Sequence, residues 1–426
     1  MRTLIRISLT ATLILFLAVS PFYSTARAAG PAYEPGQIVV KLAPSPGNDV
    51  LGINKTYGTS TLASLLNHSD IFLLQAPLGV DAEQLVQVML NDVRLLYAEL
   101  NYINESPEDG STDRIYGWGG TDGSTMGSQD STKTVQLGAA HNLSRGAGTL
   151  VAILDTGVQP DHPALSNSLE ILGYDFVDND PVPADEANGL DDDGDGRVDE
   201  LYGHGTHIAG IVHLVAPEAR LLPLRVLNSD GRGNNFRTAS AIVYAAHRGA
   251  DAINLSLGTP NQSALLRDAV NEAARLGAVV VAAAGNLNTD AQQYPAAESC
   301  AIAVTSVNTH DKKSSFANYG NWIGVAAPGE NIYSAFPIDG YAWWSGTSMA
   351  TPFVAGQLAL LRGADPQLTL DEAGLLIGGT ADPLDQRNPA YNGRLGEGRI
   401  DLVASLEALA SNSWPTAEHN MFAGCI

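Results

Sequence analysis

From Tyr116 onward the chain alternates short apolar runs with amphipathic segments about a dozen residues long, and that alternation leaves few architectures open. Thr149-Leu150-Val151-Ala152-Ile153-Leu154, Ala252-Ile253-Asn254-Leu255 and Ala278-Val279-Val280-Val281-Ala282 are near-continuous apolar runs, the pattern of strands covered on both faces. Helices are predicted between them, over 238–248 and 263–276. Strand and helix in series give an α/β domain of three layers, a mostly parallel sheet with helices on both faces. Ligands of such sheets bind at the carboxyl ends of the strands, so residues there are the first candidates for chemistry.

Asp155, in Asp155-Thr156-Gly157, stands just past the first of these strands. His204-Gly205-Thr206-His207 opens an apolar helical run, and Gly346-Thr347-Ser348-Met349-Ala350-Thr351-Pro352 sets Ser348 before a helix predicted over 349–361. A serine hydroxyl is a weak nucleophile until a histidine takes its proton, and the histidine needs a carboxylate to fix its tautomer and stabilise the imidazolium. Singly, each residue has a plainer reading: a turn residue, a helix-start histidine, an N-cap. Together, in the order Asp155, His204, Ser348, they resemble the subtilisin-like serine protease family.

That resemblance covers about residues 116–406 and implies a subtilisin-like three-layer domain with a serine endopeptidase activity that proceeds through an acyl-enzyme. It further implies that Asn286, in Ala282-Ala283-Ala284-Gly285-Asn286, donates to the oxyanion and matters to rate more than to folding. Ser256-Leu257-Gly258 would pair with an extended substrate peptide as an added strand. Ala283, Ala284 and Gly285 would wall the first specificity pocket, their small size leaving room for a large side chain. The competing class is a catalytically silent peptide-binding protein on the same scaffold, against which the presence of all four groups argues.

The N-terminus carries an export signal. Arg2 and Arg6 precede an apolar run from Leu9 to Val19, and Ala26-Arg27-Ala28 has the form of a cleavage site, so residues 1–28 are read as a signal peptide and the protein as secreted or periplasmic. The apolar run is too short to span a membrane, so no stable insertion is expected. Residues 29–115 form a small α+β unit: a strand at Gln37–Leu42, a helix from Asp81 to Leu90 capped by Asp81, and a strand at Tyr97–Ile103. It resembles the family's inhibitory propeptide, which is ferredoxin-like and cut away after folding; here the cut falls between about Asn104 and Gln129. The catalytic domain is taken as 116–410 and a polar tail as 411–426.

With 23 basic and 46 acidic residues, the formal charge of −23 excludes a nucleic-acid partner. Protein or peptide substrates, the chain's own propeptide and a monomeric state are expected. The acid is concentrated in Asp191-Asp192-Asp193-Gly194-Asp195-Gly196-Arg197-Val198-Asp199-Glu200, with carboxylates at alternate positions and Gly196 for a sharp turn. Tyr202 stands where an EF-hand would need its glutamate. The segment is instead similar to calcium-bearing insertions that some family members carry before the catalytic histidine. On that basis Asp191, Asp193, Asp195, Asp199 and Glu200 are candidate ligands of a structural Ca²⁺, and catalysis needs no cofactor. The family's high-affinity calcium site is not expected, since Ala164 replaces an aspartate ligand and the chain runs straight through Ala216–Arg220 without the site's loop. Of the two cysteines, Cys300 heads an apolar run and reads as a buried small hydrophobe, although one bridge to Cys425 stays open.

Overall fold

The computed structural model describes residues 32–108, 116–170, 172–416, 421, 422 and 425, so the expected signal peptide lies outside the described residues. The N-terminal unit runs β1 (Tyr33–Leu42), α1 (Val50–Tyr57), β2 (Ser60–Ser64), β3 (Ile71–Gln75), α2 (Ala82–Met89) and β4 (Leu95–Glu105). Its strands lie antiparallel in the order β2-β3-β1-β4. Strand alternation divides β1 between two cores: Ile38, Val40 and Leu42 pack with Ile53, Val86 and Met89 of the unit's own helices, while Val39 joins the core of the larger domain with Ile71 and Leu73. As expected, Asp81 caps α2, accepting from the amides of Glu83 and Gln84. The sequence reading missed α1, β2 and β3. The first buries only Ile53 and the second is largely exposed, so neither carries a clear apolar period.

The larger domain opens with β5 (Gly117–Gly120) and two short helices, α3 (Asp130–Thr134) and α4 (Leu137–Ala140). Then come β6 (Leu150–Asp155), β7 (Tyr174–Asp175), α5 (His204–Val215), β8 (Arg220–Arg225), β9 (Arg232–Asn234), α6 (Asn235–His247), β10 (Ala252–Leu255), α7 (Ala264–Arg275) and β11 (Val279–Ala283). The chain continues through β12 (Ala301–Val307), β13 (Val325–Pro328), the hairpin β14 (Ile332–Phe336) and β15 (Gly340–Trp344), α8 (Thr347–Ala364), α9 (Leu370–Gly379) and α10 (Leu402–Ala410). Seven strands form one sheet in the order β13-β12-β11-β10-β6-β8-β7, and every pairing in it is parallel. Helices α5 and α8 pack together on one face, α6 and α7 on the other. Strand order reverses between β6 and β10, and the crevice at that switch point is where such sheets hold their ligands.

Two helix starts differ from the sequence reading by two residues or more. Helix α6 starts at Asn235 rather than 238, because the Asn234 side chain caps it by accepting from the Arg237 amide. Helix α8 starts at Thr347, so Ser348 sits inside the first turn and Gly346, not Ser348, is the N-cap. The chain's end is also tied down. Cys300 is buried but bonded to Cys425 across 125 residues, which corrects its reading as a buried thiol. Phe422 is buried beside Gly374, so the segment read as a polar tail docks on the domain through its last described residues.

Candidate active site

Asp155 is the last residue of β6, and His204 the first of α5. They meet because the helix start comes down on the Asp155 turn: a Cβ at Gly205 would land on the carbonyl oxygen of Gly157, so the residue after His204 must be glycine for this approach. Asp155 Oδ1 accepts from His204 Nδ1 at 2.7 Å and from the Thr156 amide at 2.8 Å, leaving His204 Nε2 to face the cleft. All of these side chains are buried, and the rings of His204 and Trp344 meet edge to face with centroids 5.1 Å apart.

Ser348 is placed by a gap in its own helix. Pro352 has no N–H to give the Ser348 carbonyl four residues back, and a buried carbonyl without a partner is costly. The Ser256 hydroxyl fills the gap, donating to Ser348 O at 2.9 Å. Of the predicted substrate-strand trio, Ser256 therefore supports the serine, Leu257 is buried in the core, and Gly258 presents its backbone. Its N–H and C=O both bond to Glu105, at 2.9 and 3.0 Å.

Asn286 follows β11, and its side-chain oxygen accepts from the Thr347 amide and hydroxyl, both at 3.0 Å. This fixes the amide group so that Nδ2 points at the serine's surroundings. Thr347 also accepts from the Gly285 amide at 3.1 Å. Ala283, Ala284 and Gly285 lie in the strand end between these contacts, and Gln293 approaches both Gly258 and Gly285.

The cleft is filled by the end of the N-terminal unit. Strand β4 pairs with β9 on one side and bridges Gly258 on the other, so residues 103–105 lie in it as an added strand. Beyond them, Glu108 is buried at the center of the site. Its Oε2 accepts from Ser348 Oγ at 2.6 Å and from Ser106 Oγ at 2.7 Å, and lies 3.4 Å from His204 Nε2. Its Oε1 accepts from Asn286 Nδ2 at 2.8 Å. Burial alone would raise the Glu108 carboxyl, but its bonds to His204, Ser348 and Ser106 hold it below the usual glutamate range. Burial likewise pushes His204 down, and the charges and hydrogen bonds of Asp155 and Glu108 outweigh it, raising the imidazole to about 10. His207, the second histidine of the motif, is lowered to about 3, chiefly by burial, and donates Nε2–H to the Ile332 and Ala342 carbonyls as a neutral core residue.

In the acidic loop, Asp191, Asp193 and Asp195 bring one oxygen each within 4.8 Å of the others. Asp199 is turned to its own loop, accepting from the amides of Asn188 and Gly189. Glu200 lies near Asp193 and Asp195. Both its oxygens are buried without a partner, and its carboxyl is raised to about 7, first by burial and then by the charges of Asp195, Asp230 and Asp193. Such an oxygen-only set suits a hard divalent cation.

Sequence reasoning missed Thr347, Glu108 and Asp230. The first was inside a recognised stretch, and its support of Asn286 is a contact across 61 residues. Glu108 reaches Ser348 across 240.

A buried Asp–His pair, a serine at a helix start and an amide donor, gathered at the switch point of a parallel sheet, define a serine endopeptidase of the three-layer α/β class. Residues 146–398 match the subtilase family, peptidase S8. The chain is 46% identical over 237 residues to thermitase of Thermoactinomyces vulgaris, covering 53% of this chain and 79% of thermitase. It is 38% identical over 292 residues to a thermophilic serine proteinase of Bacillus sp. strain AK1, covering 66% of each. Fervidolysin of Fervidobacterium pennivorans, a keratinolytic enzyme related to subtilisin, shares the fold with a TM-score of 0.70 at 22% identity, over 88% of this chain and 61% of its own. The chain belongs to the subtilase family.

Proposed function

We propose that this serine endopeptidase is secreted as a self-inhibited precursor and that Asp155, His204, Ser348 and Asn286 carry its chemistry. Ser348 Oγ attacks the scissile carbonyl carbon while its proton passes to His204 Nε2. Asp155 holds Nδ1–H and stabilises the imidazolium that forms. Asn286 Nδ2 and the Ser348 amide take the oxyanion, and His204 then gives the proton to the departing amine. Water repeats the sequence in reverse to release the acyl group.

The observation that carries this reading is the Glu108 carboxylate, which stands in for the anionic oxygens of a tetrahedral intermediate or of a product acid. Ser348, Asn286 and His204 all address that one group. The same contact supports residues 29–115 as inhibitor. Glu108 occupies the serine and also favours the protonated histidine, which cannot act as a base. Arg2, Arg6, the apolar run and Ala26-Arg27-Ala28 support export, and no helix among the described residues is long and apolar enough to cross a membrane. Asp191, Asp193, Asp195 and Glu200 would hold a structural calcium ion, where it would neutralise the carboxylates that crowd the approach to α5.

The test is a fluorophosphonate probe on processed wild-type protein beside Ser348→Ala. Label on the wild type alone, with loss of peptidase activity in the variant, is expected; equal labelling of both overturns the assignment.

A further inference from the structure

Helix α5 must hold His204 rigidly against Asp155, yet its N-cap is Gly203, which has no side chain to cap it. The missing cap comes from elsewhere. Asp185, buried in the stretch before the acidic loop, sends its carboxylate to the helix start: Oδ1 accepts from the Gly203 amide at 3.0 Å, and Oδ2 from the Thr206 amide at 3.1 Å and the Thr206 hydroxyl at 2.7 Å. A carboxylate at this end of a helix is favourably placed in the field of the unpaired N–H groups.

The other half of its contacts goes to the Asp155 turn. Asp185 Oδ1 also accepts from Thr156 Oγ1 at 3.2 Å, and Thr156 Oγ1 in turn accepts from the Gly205 amide at 2.9 Å. Thr206 Oγ1 accepts from the Gln159 amide at 3.0 Å. One carboxylate thus joins the residue after Asp155 to the residue before His204 and to the residue two beyond it.

We infer that Asp185 is a positioning residue of the protease, the buried anchor that sets the Asp155–His204 geometry by tying the β6 turn to the first turn of α5; the inference rests on the assignment of those two residues above. Its second effect is electrostatic. Burial, opposed by its amide and hydroxyl bonds and reinforced by Asp155, raises the Asp185 carboxyl to about 6, so at neutral pH a negative charge stands behind Asp155. The groups facing it are Asp155 from β6 and Tyr202 from the loop before α5, whose phenol is raised first by burial and then by the Asp185 charge. A second anion on this side favours the imidazolium that forms as the serine is deprotonated.

The experiment compares processed wild type, Asp185→Asn, Thr156→Val and Thr156→Ser on a chromogenic peptide from pH 5 to 10, with kcat expressed per serine titrated by the fluorophosphonate. In Asp185→Asn an amide NH₂ faces backbone donors and the charge is gone, so kcat should fall by about 10- to 100-fold with KM changed less than about 2-fold. The acidic limb of kcat/KM should also move down by about half a unit or more, because an imidazole with fewer anions near it protonates at lower pH. Thr156→Val, which cuts the relay without touching the charge, should lower kcat and leave the limb in place, with a smaller loss in Thr156→Ser. If titrated Asp185→Asn keeps the wild-type kcat and pH profile, the inference is overturned. Should that variant yield no folded protein, equal kcat in Thr156→Val and wild type overturns it. Ser348→Ala separates the two claims: full activity there would remove the serine assignment whatever Asp185 does.

Discussion

His204 stands between two carboxylates with opposite consequences. On the proposed mechanism, Asp155 on Nδ1 would prepare it to act as a base, and Glu108 beside Nε2 would keep it charged and idle. The imidazole is raised from 6.5 to about 10, so its favourable pairing in the closed state is complete below about 6.5 and is lost as pH rises through about 10. Unprocessed protein should therefore react faster with a fluorophosphonate as pH climbs from 8 to 10.5. Glu108→Gln removes the charge, and should speed labelling at pH 7.5 by about 10-fold or more while flattening the pH dependence, since each unit of imidazole pKa is a tenfold change in the free base. Labelling rates of the variant and wild type that coincide across that range would contradict the double role of Glu108. The legibility of the site divides along the same line. Asp155, His204 and Ser348 each sit in a short stretch whose glycines and small residues are forced by close approach, so local sequence betrays them. Glu108 and Asp185 act through contacts across 240 and about 20 residues, from segments rich in proline and acid that look like loops.

At the scale of elements, the acidic loop crowds carboxylates against one another. Glu200 carries two buried oxygens without partners while Asp193, Asp195 and Asp230 repel it, a cost that a bound cation would remove. The loop leads directly into α5, so its order bears on the helix that holds His204. Calcium binding should show as a chelator-sensitive unfolding midpoint, with about 2.7 kcal/mol of stabilisation when free calcium is 100-fold above the dissociation constant. Glu200→Gln should remove most of the calcium-dependent part. A midpoint indifferent to both chelator and substitution would leave the loop a solvated acidic surface. The alternation of carboxylates was legible in the sequence, but Asp199's turn toward the Asn188 and Gly189 amides was not, because it follows from a left-handed backbone at that residue. Three strands of the large sheet, β6, β10 and β11, were legible to within about a residue because they are buried on both faces and read as unbroken apolar runs, whereas β7, β8 and β13 were not picked out. The small unit's β2, largely exposed, had no such signal.

On the scale of the whole molecule, the chain's two ends are fastened by different means. The N-terminal unit is held by contacts that reach into the helix starts of the larger domain. Glu99 accepts from the Ser263 hydroxyl and the amides of Ala264 and Leu265 at the start of α7, and Asn101 accepts from the Phe236 amide in the first turn of α6. These bonds are non-covalent, which would suit the proposed inhibitory role of a unit that has to leave once the connecting chain is cut. The C-terminal end is fastened covalently. Cys300 opens the segment leading into β12 near the middle of the domain, and its bond to Cys425 closes a loop that includes β12, β13, the β14–β15 hairpin, α8 with Ser348, α9 and α10. Closing so long a loop restricts the unfolded chain far more than the folded one, and is worth about 2–4 kcal/mol in typical cases. In a domain of about 300 residues that corresponds to a midpoint change of about 3–6 °C. Cys300→Ser with Cys425→Ser, or reduction of the wild type, should lower the calorimetric midpoint by that amount without changing kcat on a small peptide, because the bond lies away from the cleft. Phe422 packs beside Gly374 of α9, so the same variants should lose C-terminal residues to self-digestion, readable as a shortened intact mass. An unchanged midpoint and an uncut C-terminus would mean that the packing of Phe422 and Met421 alone holds the end of the chain.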